Sequence, residues 1–344
     1  MGTKLGAIVQ AETLSLSDLS GREIAVDAFN SIYSFLAIIR QVDGTPLKDR
    51  KGRVTSHLSG LFYRNINLLE KGIHPVYVFD GEPPQLKSEE IERRRMVRKE
   101  ARKEWKKAKE EGRMEDARKA AQASSKLTEE MVIDSKELLS ALGIPHIQAP
   151  SEGEALAAQL VQENLVWASA SQDNDSLLYG CPRMIRNLTI SGRRRSRSSS
   201  GYITIEPELI DLDLNLRLLE ISQEQLIDIA ILIGTDYNDS PKGIGPKTAL
   251  KLVKKHGTLE EIESATDYDF DFPYEQIRSI FLRSPQATVE APEWEDPNFD
   301  GIRTILCNEH DFSRSRVDSS LERLEASLEK IRDTTRQSAL EDFF

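Results

Sequence analysis

Residues 22–28, REIAVDA, and residues 74–81, HPVYVFDG, decide the fold, because each is a short apolar run that reaches an aspartate. Runs of this length and composition predict buried strands. Apolar residues at helical spacing over Ile32–Ile39 and Leu58–Leu69 predict helices that follow the first strand. The strand–helix–strand alternation predicts an α/β fold with a mainly parallel central sheet and helices on both faces.

The second half of the chain continues this pattern. Ser151 is predicted to cap a helix running through Glu154–Glu163, and Leu165–Ser171 is predicted to be a strand. One more strand and three more helices are predicted: Tyr202–Ile205, Gln223–Ile233, Lys247–His256 and about Val317–Ile331. We expect residues 264–316 to be irregular and Gly192–Ser200, GRRRSRSSS, to be a flexible loop.

Composition excludes several classes of protein. The chain has 344 residues, 39% hydrophobic and 30% charged, which is enough apolar material for a sizeable core. No apolar run approaches the roughly 20 residues that span a bilayer, and Met1–Gln10 lacks the pattern of a secretory signal. The two cysteines, Cys181 and Cys307, form no CxxC pair, so we expect neither a disulfide framework nor a cysteine zinc site. An intracellular, reducing compartment is therefore expected.

The charge is unevenly distributed. The net charge is −11, but residues 87–126 contain 15 Lys/Arg and 9 Asp/Glu, a local net charge of +6. Residues 88–130 are rich in Glu, Lys, Arg and Ala, which predicts helices that break near Gly112. Composition alone fits a solvated helical hairpin equally well, but the basic excess favours a surface that binds nucleic acid.

Seven acidic residues fall where strands or helices begin or end: Asp27, Asp80, Glu152, Glu154, Asp173, Asp175 and Asp236. In an open parallel sheet, sites form outside the carboxyl ends of the strands, so Asp27, Asp80 and Asp173 should converge at one edge. Glu152 and Glu154 lie at a helix start, where free N–H groups favour negative charge. Each acid alone is more often a cap or turn former, so the prediction depends on the whole set converging.

Acids that converge in this way would repel one another, so either their pKa values rise or cations hold them together. Oxygen ligands without Cys or His favour Mg²⁺ or Mn²⁺ over zinc. Two such ions about 4 Å apart would form a clamp for the hydrolysis of a phosphodiester.

Five motifs in this order resemble the structure-specific 5′ nucleases, and most closely the flap endonucleases: AVDAFNSIY (25–33), VYVFDGEPPQLKSEEIERR (76–94), APSEGEALAA (149–158), SQDNDSLLYG (171–180) and IGTDYNDSPKGIGPKTALKLVKKHG (233–257). The resemblance covers nearly the whole chain. It implies a Mg²⁺-dependent endonuclease and 5′–3′ exonuclease that cleaves DNA at the base of 5′ flaps, in replication (Okazaki fragment maturation) and repair.

The resemblance also implies roles for individual residues. Two metal groups are expected, one with Asp27, Asp80, Glu152 and Glu154, the other with Asp173, Asp175 and Asp236. Lys87 and Arg94, seven residues apart and so on one helical face, match the catalytic cations. Tyr33 matches an aromatic residue that stacks on a base, and Arg40 is also expected to contact DNA.

Three further regions are expected from the resemblance within a nuclease domain over residues 1–332. Residues 82–130 would form a helical arch, and residues 220–260 a helix–two-turn–helix that grips duplex DNA, often with a K⁺ ion. In that region Gly243 and Gly245 allow close approach of a phosphate, and Lys247 and Lys251 supply charge. A lone GxG is commonly just a turn.

Residues 333–344 are expected to be a binding peptide for sliding clamps of the PCNA type. Its anchors would be Gln337, Leu340, Phe343 and Phe344, of which the last three group on one helical turn. The alternative is a tail that folds back on its own domain. A chain that ends at this peptide resembles archaeal members, and we expect a monomer that binds branched DNA and no membrane. Two rival functions remain open at this point: another 5′ nuclease acting on ends, bubbles or junctions, and a non-catalytic DNA adaptor for the clamp.

Overall fold

A computed structural model describes residues 3–195, 202–283 and 287–341. Its strands within these ranges are β1 (Glu12–Thr13), β2 (Glu23–Asp27), β3 (His74–Phe79), β4 (His146–Gln148), β5 (Ala168–Ala170), β6 (Arg183–Arg186), β7 (Gly192–Arg195), β8 (Tyr202–Ile205) and β9 (Glu208–Asp211). Seven of them form one sheet in the order β1–β9–β6–β5–β2–β3–β4. Strands β2 to β6 pair with one another in parallel. Strand β9 pairs antiparallel with both β6 and β1. The predicted mainly parallel α/β sheet is confirmed.

The helices of the described ranges are α1 (Ala28–Ile38), α2 (Ser56–Leu69), α3 (Ser88–Glu110), α4 (Met114–Ala123), α5 (Glu129–Ala141), α6 (Gly153–Gln162), α7 (Leu212–Leu219), α8 (Gln223–Ile233), α9 (Pro246–His256), α10 (Leu259–Ala265), α11 (Tyr274–Leu282), α12 (Phe299–Arg303) and α13 (Arg314–Glu341). The α3–α4 pair breaks at Gly112, which has the positive φ of 72° that glycine adopts without strain.

Helices cover both faces of the sheet. Ile24 and Val26 of β2 lie in the hydrophobic core that includes α1, α2 and α5. Ala25, between them, lies in the core that includes α6 and α8. Because successive side chains of a strand point to opposite faces, one continuous apolar run supplies both cores.

Three predictions about residues 151–200 were wrong in detail. Glu152, not Ser151, is the residue that precedes α6, and the Ser151 hydroxyl donates to the Glu82 carbonyl at 3.0 Å. The strand predicted over Leu165–Ser171 is only the three residues of β5. Residues 192–195 of the predicted loop are β7, which pairs antiparallel with β8, and residues 196–200 lie outside the described ranges.

The region predicted to be irregular contains α11 and α12. In α11, Ile277 and Phe281 are four residues apart and both are buried, which is a helical pattern. This pattern was missed because the surrounding sequence is acidic. The final helix, α13, continues past 332 to Glu341, so the boundary expected at 332/333 falls inside a helix.

The two cysteines are free, as expected. Within the described ranges no helix is both long and apolar enough to span a membrane.

Candidate active site

The first two acids stand side by side at the carboxyl edge of the sheet. Asp27 is the last residue of β2, and its Oδ1 accepts the Asn30 N–H at 2.9 Å, so it caps α1. Asp80 follows β3, and its Oδ1 accepts the N–H of Gly153 at 2.7 Å. Gly153 begins α6, where the helix dipole favours a carboxylate.

The start of α6 brings two more acids to the same edge. Glu154 lies in its first turn, and its Oε1 is 3.4 Å from the hydroxyl of Ser171. The same hydroxyl is 3.2 Å from Oδ2 of Asp27. Ser171 therefore links a carboxylate from α6 to one from β2.

The segment after β5 contributes the next pair. Asp173 Oδ2 accepts the Asn30 side-chain amide at 3.0 Å. Asp175 Oδ1 accepts both the N–H and the hydroxyl of Thr3, each at 2.9 Å, so the start of the chain orients this carboxylate. These contacts use one oxygen of Asp175 and lie on the protein side of the site.

Asp236 reaches the site from the loop between α8 and α9. Thr235 and Asn238 close a tight turn around it, with Thr235 Oγ1 2.8 Å from Asn238 Oδ1. Its two oxygens contact cations: Lys87 Nζ is 3.2 Å from Oδ2 and an Arg94 terminal nitrogen is 2.5 Å from Oδ1. We call the seven acids the acidic cluster.

Burial and crowding raise the pKa values of four acids of the cluster. Burial raises the pKa of Asp27 to about 8, and the charge of Asp80 adds to the shift. Burial with the charge of Glu152 raises the pKa of Asp80 to about 6, and burial with the charge of Asp173 raises that of Asp175 to about 6. The set therefore converges as predicted, because acids from five separate segments act on one another.

The repulsions run through the whole cluster. Besides burial, the charges of Glu152 and Asp236 raise the pKa of Asp80, and those of Asp173 and Asp236 raise the pKa of Asp175. Asp173 also adds to the raised pKa of Asp27. Burial raises the pKa of Glu154 well above its usual value, and the charges of Asp175 and Asp27 add to the shift.

Lys87 and Arg94 both reach the cluster, as predicted. Lys87 Nζ lies 2.5 Å from Glu152 Oε2 as well as contacting Asp236, and its side chain is only 15% exposed. Burial lowers the pKa of Lys87, but the charges of Glu152 and Asp236 outweigh it and raise the pKa overall. The ammonium is therefore permanently charged.

The donor set fits divalent cations. Its groups are carboxylate oxygens, and the pKa values of Asp27, Asp80, Glu154 and Asp175 are raised by burial and by neighbouring charges. Neutralising the cluster with a hard cation would relieve this repulsion. In the described part of the chain, however, no three Asp, Glu, His or Cys side chains are arranged as a ready metal cage. Lys87 lies between Glu152 and Asp236 instead, so ion binding requires these side chains to turn.

Two residues predicted to contact DNA lie on or just after α1, the helix that Asp27 caps. Tyr33 is half-buried on α1 and is absent from that helix's buried face. Arg40 follows α1, and its guanidinium donates to three protein oxygens at 2.7 to 2.9 Å: Leu36 O, Gly44 O and Ser125 Oγ. Arg40 thus joins α1 to the end of α4, and its contact with DNA stays a prediction.

The predicted phosphate-binding turn lies between α8 and α9. Gly243 has a φ of 88°, and a methyl group added at Gly243 or Gly245 would meet nothing within 4 Å. Lys247 and Lys251 are exposed on α9. The turn is therefore open enough for a close backbone approach, although its ligand is untested.

The basic helices α3 and α4 dock on the body at their far end. Trp105 donates to the Asp43 carbonyl at 3.3 Å, and Lys109 Nζ is 2.8 Å from the Asp43 carboxylate. Gly44 lies so close to Ala121 that an added methyl would be 2.8 Å from its Cβ. The region expected to form the arch contains a helical pair in contact with the loop after α1.

The clamp anchors fall outside what can be described. Gln337 and Leu340 belong to the backbone of α13, but their side chains lie outside the described part of the chain. Phe343 and Phe344 lie outside it entirely.

Sequence reasoning missed the partners that orient the acids, chiefly Thr3, Asn30 and Ser171, and Glu90, which contacts Arg94. Asn30 could have been found, because Asp27-x-x-Asn30 is the spacing of a helix cap. The contacts of Thr3 with Asp175 and of Ser171 with Asp27 and Glu154 carry no local signal, since they join segments more than 15 residues apart.

Known proteins match this arrangement over its whole length. Residues 4–101 match the family profile of the XPG N-terminal domain, and residues 143–236 match the XPG I-region. Flap endonuclease 1 of Saccharolobus solfataricus is 50% identical over 337 residues, which cover 96% of this chain and 96% of the relative.

Solved structures of related nucleases also match the fold of this chain. Flap endonuclease-1 from Methanococcus jannaschii aligns with a TM-score of 0.73 and 39% identity over 96% of this chain and 99% of its own. The catalytic core of Rad2 in complex with DNA substrate aligns with a TM-score of 0.71 and 26% identity over 94% of this chain and all of its own. The chain therefore belongs to the flap endonuclease family of structure-specific 5′ nucleases.

Proposed function

We propose that this DNA nuclease hydrolyses the phosphodiester at the base of a 5′ flap with two Mg²⁺ ions held by the acidic cluster. The observation that carries the proposal is the convergence of seven carboxylates beside two cations at the carboxyl edge of the sheet. The Rad2 core, a solved neighbour, is in complex with DNA substrate, which supports DNA as the ligand of this site.

The mutual repulsion within the cluster would be relieved by a pair of ions. One ion would be held by Asp27, Asp80, Glu152 and Glu154, and the other by Asp173, Asp175 and Asp236. When bound, such ions lower the pKa of water and neutralise the charge that develops on a phosphate; Mn²⁺ can substitute for Mg²⁺ because both prefer oxygen ligands.

Lys87 and Arg94 would supply fixed positive charge to the scissile phosphate. Both are anchored to Asp236 and lie where the base of α3 meets the cluster. Charged donors that are already in place cost no reorganisation when the transition state forms. Despite the opposing effect of burial, the charges of Glu152 and Asp236 raise the pKa of Lys87, and the charge of Asp236 raises the pKa of Arg94. Both side chains therefore stay charged at neutral pH.

Magnesium should stabilise the protein, and more so at high pH. The raised pKa values of Asp27, Asp80 and Asp175 mean that these groups favour folding when protonated, and this contribution is lost as pH rises through about 6 to 8. The metal-free melting temperature should therefore fall over this range. A saturating ion restores roughly 2.7 kcal/mol at 100 times its Kd.

Differential scanning fluorimetry at pH 5.5 and pH 8, with Mg²⁺ or with EDTA, measures this effect. Asp27→Asn should flatten the pH dependence and shrink the Mg²⁺ shift, whereas Asp213→Asn, at the opposite edge of the sheet, should change neither. A Mg²⁺ shift that is equal at both pH values would contradict the buried, crowded cluster.

The basic helices would track the single-stranded flap. Lys99, Arg102 and Lys103 are exposed on α3, the helix that begins directly after Lys87 and carries Arg94. Tyr33 would stack on a base beside the cut, and stacking is worth about 1–3 kcal/mol. The turn at Gly243 and Gly245, with Lys247 and Lys251, would hold duplex phosphates, with K⁺ at the turn.

Changing Lys99, Arg102 and Lys103 together to glutamine should weaken flap binding and flatten its salt dependence. Three lost phosphate contacts reduce the slope of log K against log salt by about 2, since each contributes roughly 0.7 for a single strand. Fluorescence anisotropy with a labelled flap from 50 to 200 mM KCl measures the slope. Lys71→Gln, near the amino ends of the strands, is the matched control, and an unchanged slope in the triple variant would remove α3 from the binding surface.

The last residues would dock into a sliding clamp of the PCNA type. Gln337, Leu340, Phe343 and Phe344 have the spacing of such a peptide, and α13 carries the chain helically to Glu341. A monomer tethered to the clamp would act in Okazaki fragment maturation and repair, inside the cell where chromosomal DNA is copied.

Deleting Gln337–Phe344 should leave basal cutting unchanged and abolish stimulation by a clamp. Steady-state cleavage with and without PCNA of an archaeal relative measures both. Full stimulation of the truncated enzyme would refute the assignment of this peptide.

A substrate panel tests the proposed function itself. The enzyme with Mg²⁺ should cut a 5′ flap at its junction faster than a recessed 5′ end, a bubble or a four-way junction. A preference for the bubble or the four-way junction would assign the chain to another activity of the superfamily, and no cleavage of any DNA would favour the non-catalytic adaptor.

A further inference from the structure

Glu90, in the first turn of α3, lies between two arginines. Its Oε1 accepts the Nε–H of Arg94 at 2.6 Å, and its Oε2 accepts the Nε–H of Arg93 at 2.6 Å. The Glu90 side chain is only 10% exposed. A carboxylate at the base of the arch thus uses each of its oxygens to hold a different guanidinium.

The two arginines reach the same loop. Arg94 contacts Asp236 with a terminal nitrogen at 2.5 Å, and Arg93 contacts Asp239 with another at 2.9 Å. Asp236 and Asp239 both lie between α8 and α9. Glu90 therefore holds two arginines that join the start of α3 to the loop bearing Asp236. We call Glu90, Arg93 and Arg94 the Glu90 fork.

A guanidinium is planar, so a hydrogen bond at Nε defines the plane in which the terminal nitrogens lie. Without that bond the long side chain of Arg94 can adopt many rotamers, and its terminal nitrogens would no longer be directed at the cluster. We propose that Glu90 is a positioning residue for Arg94, holding its terminal nitrogens toward the acidic cluster and hence toward the phosphate to be cut. This inference rests on the role proposed for Arg94.

The alternative is an ordinary helix-surface pair, since Glu90 and Arg94 are four residues apart. The same helix offers a pair of that kind for comparison. Glu92 and Arg95 are three residues apart at 3.5 Å, and their side chains are 60% and 76% exposed. Exposed pairs of this type contribute little. Glu90 differs because its side chain is only 10% exposed and because its partner Arg94 also contacts Asp236.

A double-mutant cycle separates the two accounts. Single-turnover flap cleavage at saturating DNA would be measured for the wild type, Glu90→Gln, Arg94→Ala and the double variant, with Glu92→Gln as control. Glu92→Gln removes the same charge from the same helix. Thermal melting of each variant checks that it is folded, and anisotropy measures its Kd for the flap.

Glu90→Gln should lower the cleavage rate roughly 10- to 100-fold, the effect of misplacing a group by about 1 Å, with little change in Kd. In the Arg94→Ala background the same substitution should cause no further loss. Glu92→Gln should cut at the wild-type rate.

Two results would overturn the positioning role of Glu90 but leave the role of Arg94 intact. One is a cleavage rate of Glu90→Gln equal to that of Glu92→Gln. The other is a loss of rate on Glu90→Gln that is the same with and without Arg94. A wild-type rate for Arg94→Ala would instead overturn the proposed role of Arg94, and the positioning role with it.

Discussion

Asp175→Asn is expected to lower flap cleavage by at least about 10³-fold while leaving DNA binding within a fewfold of the wild type. The substitution keeps the size of the side chain and its acceptor oxygen for the N–H and hydroxyl of Thr3, so the fold should survive. It removes a charge from the group that includes Asp173 and Asp236. Metal-borne stabilisation of a transition state is worth several kcal/mol, and about 1.4 kcal/mol corresponds to tenfold in rate.

Single-turnover rates with Mg²⁺, compared with EDTA, measure the effect. Asp213→Asn is the matched control, because Asp213 is an exposed acid beside the opposite edge of the sheet. If Asp175→Asn cut at a rate close to that of Asp213→Asn, the proposed metal role of Asp175 would be wrong.

The second large effect is expected at Lys87. Lys87→Met should lower the rate at saturating DNA by about 10²- to 10³-fold, the usual cost of removing a preorganised charge from a site that excludes water. The methionine keeps the apolar stem but leaves Glu152 and Asp236 without the ammonium between them. The metal-free variant should also be less stable, because buried carboxylates then lose their counter-charge.

Rapid-quench cleavage assays and thermal melting measure these two effects. Lys71→Met, an exposed lysine at the other edge of the sheet, should change neither. A loss confined to Kd, with the saturating rate intact, would make Lys87 a binding residue and contradict its catalytic role.

The sequence predicted the elements that carry continuous or periodic apolar patterns. Residues 74–79 and 223–233 are a strand and a helix with the predicted bounds, because burial selects one residue type at every core position. The carboxyl edge of a parallel sheet then explains why Asp27 and Asp80 had to meet.

Other features depend on distant contacts and could not be read from a local pattern. The three residues of β5 pair with β2 and β6, and their small side chains, Ala168, Ser169 and Ala170, carry little strand preference. The apolar pattern of helix α11 is hard to recognise in the sequence because charged residues surround it. The Glu90 fork and the Thr3 contact join residues 142 to 172 positions apart through the fold, as in Arg94 with Asp236.

The most direct test of this account is anomalous diffraction from crystals of the protein soaked in Mn²⁺. We predict two peaks about 4 Å apart, one contacted by Asp80 and Glu152, the other by Asp173 and Asp175, with Lys87 displaced from Glu152. A cluster that stays free of Mn²⁺ at saturating concentration, with Lys87 still between Glu152 and Asp236, would contradict it.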